Sequence, residues 1–196
     1  MRNKPYEKNK IGKFIGWGGE HLVFAYGSKN VIKFSLHVWL SGKSAVEKLK
    51  QDYKIGQKYF GSYILPTEIL TWNNEKKTVE IQEKIQCRFL NKKDLSSQGG
   101  QATPLIKKQF NDIMQRYQKM EQETGLLFDL FGREGLLGLR PNKISNILIT
   151  PSNKLVLIDF TILELKPLIR EIPLWLIVQW AKRRQRKLIN RITRST

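Results

Sequence analysis

One stretch constrains this chain more than any other. Lys143-Ile144-Ser145-Asn146-Ile147-Leu148-Ile149 is followed by the turn residues Pro151-Ser152-Asn153 and then by Leu155-Val156-Leu157-Ile158-Asp159-Phe160. Two apolar runs joined by Pro, Ser and Asn read as strand, turn, strand. Asn146 stands at the mouth of the first strand and Asp159 at the end of the second, thirteen residues on. An Asn and an Asp held together on a short hairpin form a hard-oxygen site suited to Mg²⁺ carried by a nucleotide. Taken alone, an ordinary hairpin with a polar residue at each edge explains the same pattern.

Further elements lie upstream. Gly16-Trp17-Gly18-Gly19-Glu20-His21-Leu22-Val23 separates the apolar pair Phe14-Ile15 from Val23-Phe24-Ala25-Tyr26. A glycine-rich turn between strands lets backbone N–H groups approach phosphate oxygens, though most such clusters are simply tight hairpins. Ten residues after Val23, Lys33 sits in the apolar run Asn30-Val31-Ile32-Lys33-Phe34. Ser44-Ala45-Val46-Glu47 has the form of a capping box, so a helix is expected to start there. Val46, Leu49, Tyr53 and Gly56 would form its buried stripe. Thr67–Trp72 and 78–85 alternate about the turn Asn73-Asn74, an antiparallel hairpin. Residues 91 to 102 are polar and Gly-rich and read as a linker. Thr103-Pro104 then opens the longest helix, with Ile106, Phe110, Ile113, Tyr117 and Met120 as its core stripe and Gly125 as its end.

In this order the elements resemble the protein-kinase-like superfamily, in a small, atypical form of bacterial type. The resemblance spans residues 12 to about 165, and only the Lys143–Phe160 stretch is specific. It implies an α+β, two-lobed fold: a five-stranded antiparallel small lobe with one helix, and a reduced, mainly helical large lobe. The expected boundaries are 12–90 for the small lobe, 91–102 for the linker, 103–181 for the large lobe and 182–196 for a basic tail. The cofactors implied are ATP and Mg²⁺. Gly16, Gly18 and Val23 match the glycine-rich loop, with His21 where the family has a third glycine, and Gly19 lies in the backbone that would cover the phosphates. Lys33 matches the lysine that holds the α- and β-phosphates. Its carboxylate partner would be Asp52, since Glu47 is engaged at the cap. The chain near Glu83 to Ile85 would meet the adenine through backbone groups. Asn146 and Asp159 would hold the metal, and Lys143 would neutralise the transferring phosphoryl group.

The family's catalytic loop reads H-R-D-L-K-x-x-N, and here Leu139-Arg140-Pro141-Asn142-Lys143-Ile144-Ser145-Asn146 stands in its place. Pro141 replaces the Asp that accepts the acceptor's proton, and proline cannot do so. Asp129 is the nearest other carboxylate, but it lies seventeen residues before Asn146 rather than five. It reaches the site only if residues 132–138 fold back; otherwise it is a turn carboxylate. The resemblance therefore leaves two readings open. One is a phosphotransferase of unknown acceptor. The other is an inactive pseudokinase serving as a binding module for an acidic partner.

Composition frames both. The 196 residues suit one domain or two intimate lobes, and 40% hydrophobic content suffices for a core. The single cysteine, Cys87, excludes an internal disulfide and is expected to be buried. His21 and His37 have no partners at metal-ligand spacing. The start lacks an apolar signal region, which leads to the expectation of a cytoplasmic protein. The net charge is +18, with five basic and one acidic residue in 1–13, and seven basic and none acidic in 182–194. Leu174, Ile177, Val178, Ala181, Leu188 and Ile192 fall at helical spacing, so the C-terminus reads as one amphipathic helix with a basic second half. Packing against the large lobe is the favoured role. An anionic membrane, with the protein peripheral at its inner surface, and nucleic acid are the other partners such charge suits.

Overall fold

The computed structural model describes residues 4–17, 21–35, 42–95, 104–131, 143–158, 162 and 172–195. Its contacts divide the chain into two compact units, Met1–Ile55 with Leu65–Ile85, and Gly56–Ile64 with Gln86–Thr196.

The first unit is a five-stranded antiparallel sheet made of β1 (Ile11–Trp17), β2 (His21–Tyr26), β3 (Asn30–Ser35), β4 (Thr67–Trp72) and β5 (Lys77–Glu83). The spatial order is β1-β2-β3-β5-β4. Helix α1 (Lys43–Phe60) is inserted between β3 and β4 and runs on into the second unit. The α+β class and the helix-bearing five-stranded sheet are those expected of a protein-kinase-like small lobe. Alternation decides which side chains go where. Ile32 and Val79 lie on one face and form a core with Tyr6, joined by Phe24, Phe34, Leu70, Trp72 and Ile81. Edge-to-face contacts of Tyr6 with Phe34 and Trp72, at centroid distances of 5.9 and 5.6 Å, lock this aromatic layer.

Two local expectations change. Helix α1 starts at Lys43, immediately after Gly42 at φ +74, so Ser44 lies inside the first turn and not at the cap. Glu47 accordingly faces Lys43 across 3.7 Å on the exposed helix surface. In the hairpin β4–β5, Asn73, Asn74 and Glu75 all take positive φ near 57°, a left-handed turn that Asn tolerates best. The second strand therefore runs Lys77–Glu83, one residue earlier at its start than the alternation suggested and ending two residues sooner.

In the second unit, β6 (Arg88–Asn91), β7 (Lys143–Ile149) and β8 (Leu155–Leu157) form a three-stranded antiparallel sheet. Residues 91–95, the first part of the expected linker, form the end of β6 and a short 3₁₀ turn. Arg88 grips Asp94 through both guanidinium nitrogens at 2.7 and 2.8 Å, across a short 3₁₀ turn at Lys92–Leu95. Cys87, just before β6, is exposed, not buried.

Helix α2 (Pro104–Thr124) begins at the proline, whose missing N–H costs nothing at a helix start. It buries Ile106, Phe110, Ile113, Met114, Tyr117 and Met120. Helix α3 (Ile172–Ser195) turns Ala181, Gln185 and Ile189 into the core, four residues apart. Among the described residues, no helix is long and apolar enough to cross a membrane.

Gly125 ends α2 at φ +68 with its N–H donating to the Glu121 carbonyl at 2.8 Å. A Cβ placed there would touch nothing within 4 Å, so only backbone strain opposes a side chain. Gly125→Ala is therefore expected to destabilise the protein by about 1 kcal/mol, the left-handed penalty for an L-residue. Urea denaturation checks this, and an unchanged midpoint would contradict the left-handed cap.

Candidate functional site

The sheet of the first unit has a polar face opposite its aromatic one. Residues paired across antiparallel strands share a face. Val23, Lys33, Glu80 and Ile69 are paired in one row across β2, β3, β5 and β4. His21 is paired with Ser35, and Thr67 with Gln82, in flanking rows of the same face. His21, Lys33, Ser35, Thr78, Glu80 and Gln82 on this face are all buried. Buried polar groups persist only when paired. His21 Nε2 and Glu80 Oε1 meet at 3.1 Å, about nine-tenths buried on both sides, and Gln82 Nε2 donates to Thr67 Oγ1 at 2.6 Å.

The sequence-derived residues of this unit fall as follows. Gly16 lies in β1, opposite Val23. Gly18 and Gly19 are outside the described residues. Lys33 is 6% exposed in the middle of the polar face. Asp52 is buried on α1 and accepts a 2.6 Å hydrogen bond from Lys48 Nζ. Glu83 is the exposed last residue of β5, opposite Asn30, and Lys84 N donates to the Lys29 carbonyl at 2.7 Å. The sequence reading did not single out His21 and Glu80 as a pair. The signal was present: two ionisable residues at inward-facing positions of strands that flank the Lys33 strand.

In the second unit, Asn146 is the centre. It lies in the middle of β7 rather than at its mouth. The β6–β7 ladder runs Phe89 to Leu148 and then Leu90 to Ile144, so Ser145, Asn146 and Ile147 form a bulge. A bulge frees backbone groups and re-aims side chains. Asn146 N donates to the Leu130 carbonyl at 3.2 Å, and Asn146 Nδ2 to the Asp129 carbonyl at 2.6 Å. Ile158 N donates to the Asn146 carbonyl at 3.0 Å. Among the described residues, Asn146 Oδ1 receives no hydrogen bond. An amide oxygen is a hard, neutral ligand of the kind Mg²⁺ accepts, and Ser145 Oγ, from the preceding residue, is buried without a hydrogen-bond partner among the described residues.

The structure brings Asp129 to Asn146 despite the seventeen residues between them. Leu127, Phe128, Leu130 and Phe131 are each 1% exposed or less, and Asp129 alone of this run is not buried. Asp129 itself is half-buried, with its backbone carbonyl held by Asn146. Asp129 Oδ1 accepts the Phe131 N–H at 3.2 Å, the turn contact its sequence suggested. Lys143 holds its ammonium 3.8 Å from the centroid of the Phe89 ring, a cation–π contact. Asp159 lies outside the described residues, as does Pro141. Among the described residues, no three His, Cys, Asp or Glu side chains gather as a metal cluster.

The His21–Glu80 contact is a buried, charge-assisted pair, which makes its coupling measurable. A double-mutant cycle of His21→Leu and Glu80→Leu, followed by chemical denaturation, is expected to return about 1.5–3 kcal/mol. A coupling near zero would mean the two side chains do not meet.

No family model matches the chain. No curated protein matches it either. Among solved structures it is similar to a Stt7 homolog from Micromonas algae soaked with ATP, at 13% identity and TM-score 0.47, covering 82% of this chain and 52% of that one. It is similar to PpkA-294 in its apo form, at 16% identity and TM-score 0.46, covering 81% and 60%. It is also similar to the GDP and kanamycin complex of APH(2")-IIia, at 13% identity and TM-score 0.39, covering 58% and 39%. The chain thus spans between 39% and 60% of the length of these structures.

Proposed function

We propose that this chain binds ATP with Mg²⁺ and transfers the terminal phosphoryl group to an acceptor hydroxyl. The observation that carries the reading is the hydrogen bond from Asn146 Nδ2 to the Asp129 carbonyl. It ties the backbone of Asp129 to the Asn of a sequence pattern whose usual Asp is replaced by Pro141, which supports Asp129 as the carboxylate that stands in for it. Support from the first unit is the buried Lys33 on a polar sheet face that follows the glycine-rich turn.

Each unit supplies its own groups. In this reading the backbone of Gly16, Gly18 and Gly19 covers the phosphates, Val23 packs beneath, and Lys33 neutralises the α- and β-phosphates. Asp52 is the carboxylate assigned to Lys33, and the chain at Glu83 meets the base. Asn146 Oδ1 and Asp159 are the hard oxygens that suit Mg²⁺. The ion, when bound, neutralises charge on the phosphate oxygens. Asp129 accepts the proton of the acceptor hydroxyl. The acceptor oxygen bonds to the γ-phosphorus as the bond to the bridging oxygen breaks, leaving ADP and the phosphorylated acceptor. Lys143 lies three residues before Asn146 and would face the transferring group after leaving the Phe89 ring.

The test separates binding from chemistry. Asp129→Asn is expected to lower the rate of ADP release about 10²–10⁴-fold, the usual contribution of a general base. Nucleotide affinity by calorimetric titration should change less than about twofold, because the base acts in the transition state. Lys33→Ala should instead weaken nucleotide binding. Equal background hydrolysis by wild type and Asp129→Asn, with Mg-ATP binding intact, would replace the enzyme by a nucleotide-binding module without turnover.

A further inference from the structure

Gln185 of α3 is fully buried. Its amide is spent on the backbone that flanks Asp129. Leu130 N donates to Gln185 Oε1 at 3.1 Å, and Gln185 Nε2 donates to the Phe128 carbonyl at 2.6 Å. The second Nε2 hydrogen goes to the Tyr117 hydroxyl of α2 at 2.7 Å. Both peptide groups attached to the Asp129 Cα are thus gripped by one side chain. The peptide between Asp129 and Leu130 is held at both ends, its N–H by Gln185 and its carbonyl by Asn146.

This arrangement admits one amide orientation. Turning the Gln185 amide over would set its N–H₂ against the Leu130 N–H and its oxygen against the Phe128 carbonyl. A buried amide with every donor and acceptor matched is rigid, and one left unmatched is costly. Packing alone gives no reason for an amide here. Ala181 and Ile189, one turn away on either side, are apolar and buried on the same face, and Leu or Met would fill the position without polar atoms. Burial also pushes the Tyr117 phenol well above its ordinary pKa, so it stays a neutral partner.

We propose that Gln185 is a positioning residue: it fixes the peptide planes on either side of Asp129 and thereby the direction of the Asp129 carboxylate relative to Asn146. This rests on the reading of Asp129 as the acceptor-orienting carboxylate. A misplacement of about 1 Å at such a group costs on the order of 10²-fold in rate. The effect should fall on turnover and spare nucleotide binding, since Lys33 and the glycine-rich turn do not pass through Gln185.

The experiment uses the full chain with Gln185→Met, which keeps volume and loses the amide, and Ile189→Val as a matched packing loss on the same helix face. Turnover, Mg-ATP affinity and hydrogen exchange at the Leu130 amide are measured for each. Gln185→Met is expected to lower kcat about 10–100-fold, to leave the nucleotide Kd within about twofold, and to lose protection at Leu130. Ile189→Val should lower the melting temperature and keep the wild-type kcat. An active wild type with an unchanged kcat in Gln185→Met overturns the role of Gln185 alone. So does an equal loss of kcat in Ile189→Val. A wild type without turnover removes the phosphotransfer reading, and this role with it.

Discussion

The hydrogen bond from the Asn146 side-chain amide to the Asp129 carbonyl ties the β7–β8 hairpin to the run Leu127–Phe131. It exists because β7 cannot keep a regular ladder with β6 through Asn146. Three bulged residues leave the Asn146 N–H unpaired within the sheet, and it turns to the Leu130 carbonyl instead. A backbone N–H and a side-chain amide from one residue then bind two successive carbonyls. Around that cross-link Leu127, Phe128, Leu130 and Phe131 are buried and Asp129 is half-buried. Phe128 in turn packs on Phe60, with ring centroids 5.7 Å apart, so the same run anchors the end of α1.

The first unit meets a different constraint. Its sheet must bury two faces of unlike chemistry. The aromatic face is held by area and ring geometry and needs no hydrogen bonds. The polar face is held only because its groups find one another, as His21 and Glu80 do across the intervening strand β3. Ser35 is the small residue paired with His21. A strand with Ile32 facing one way and Lys33 the other carries both requirements in two consecutive residues.

Period and punctuation made much of this legible. The glycine turn flanked by apolar runs revealed β2, alternation revealed β3 to β5, the proline start and glycine stop bounded α2, and Pro-Ser-Asn announced the β7–β8 turn, where Asn153 takes φ 57. What stayed hidden was contact between distant residues. Asp129 looked too far from Asn146 because linear spacing counts residues, whereas the link is two hydrogen bonds. Strand β6 is four residues without alternation and owes its order to β7 and to the Arg88–Asp94 clamp. Gln185 escaped notice because an apolar stripe is found by looking for apolar residues. The informative sign was the reverse, a polar residue at the buried phase of α3.

In the proposed phosphotransfer reading, the replacement of the expected loop Asp by Pro141 changes what the rest of the fold must do. A carboxylate within the loop that bears Asn146 would be aimed by local backbone geometry. Asp129 belongs to a separate run, so its aim has to come from tertiary contacts. The described residues supply them from three directions: Asn146 from the hairpin, Gln185 from α3, and Tyr117 of α2 behind Gln185. The C-terminal helix is then more than a basic appendage. Its solvent side carries Arg183, Arg186 and Lys187, and its inner side carries the amide that closes the network around Asp129. Shortening the chain before α3 would remove the Gln185 hydrogen bonds to the Phe128 carbonyl and the Leu130 N–H. The helix that looks most dispensable by charge is thus coupled through Gln185 to the backbone on both sides of Asp129.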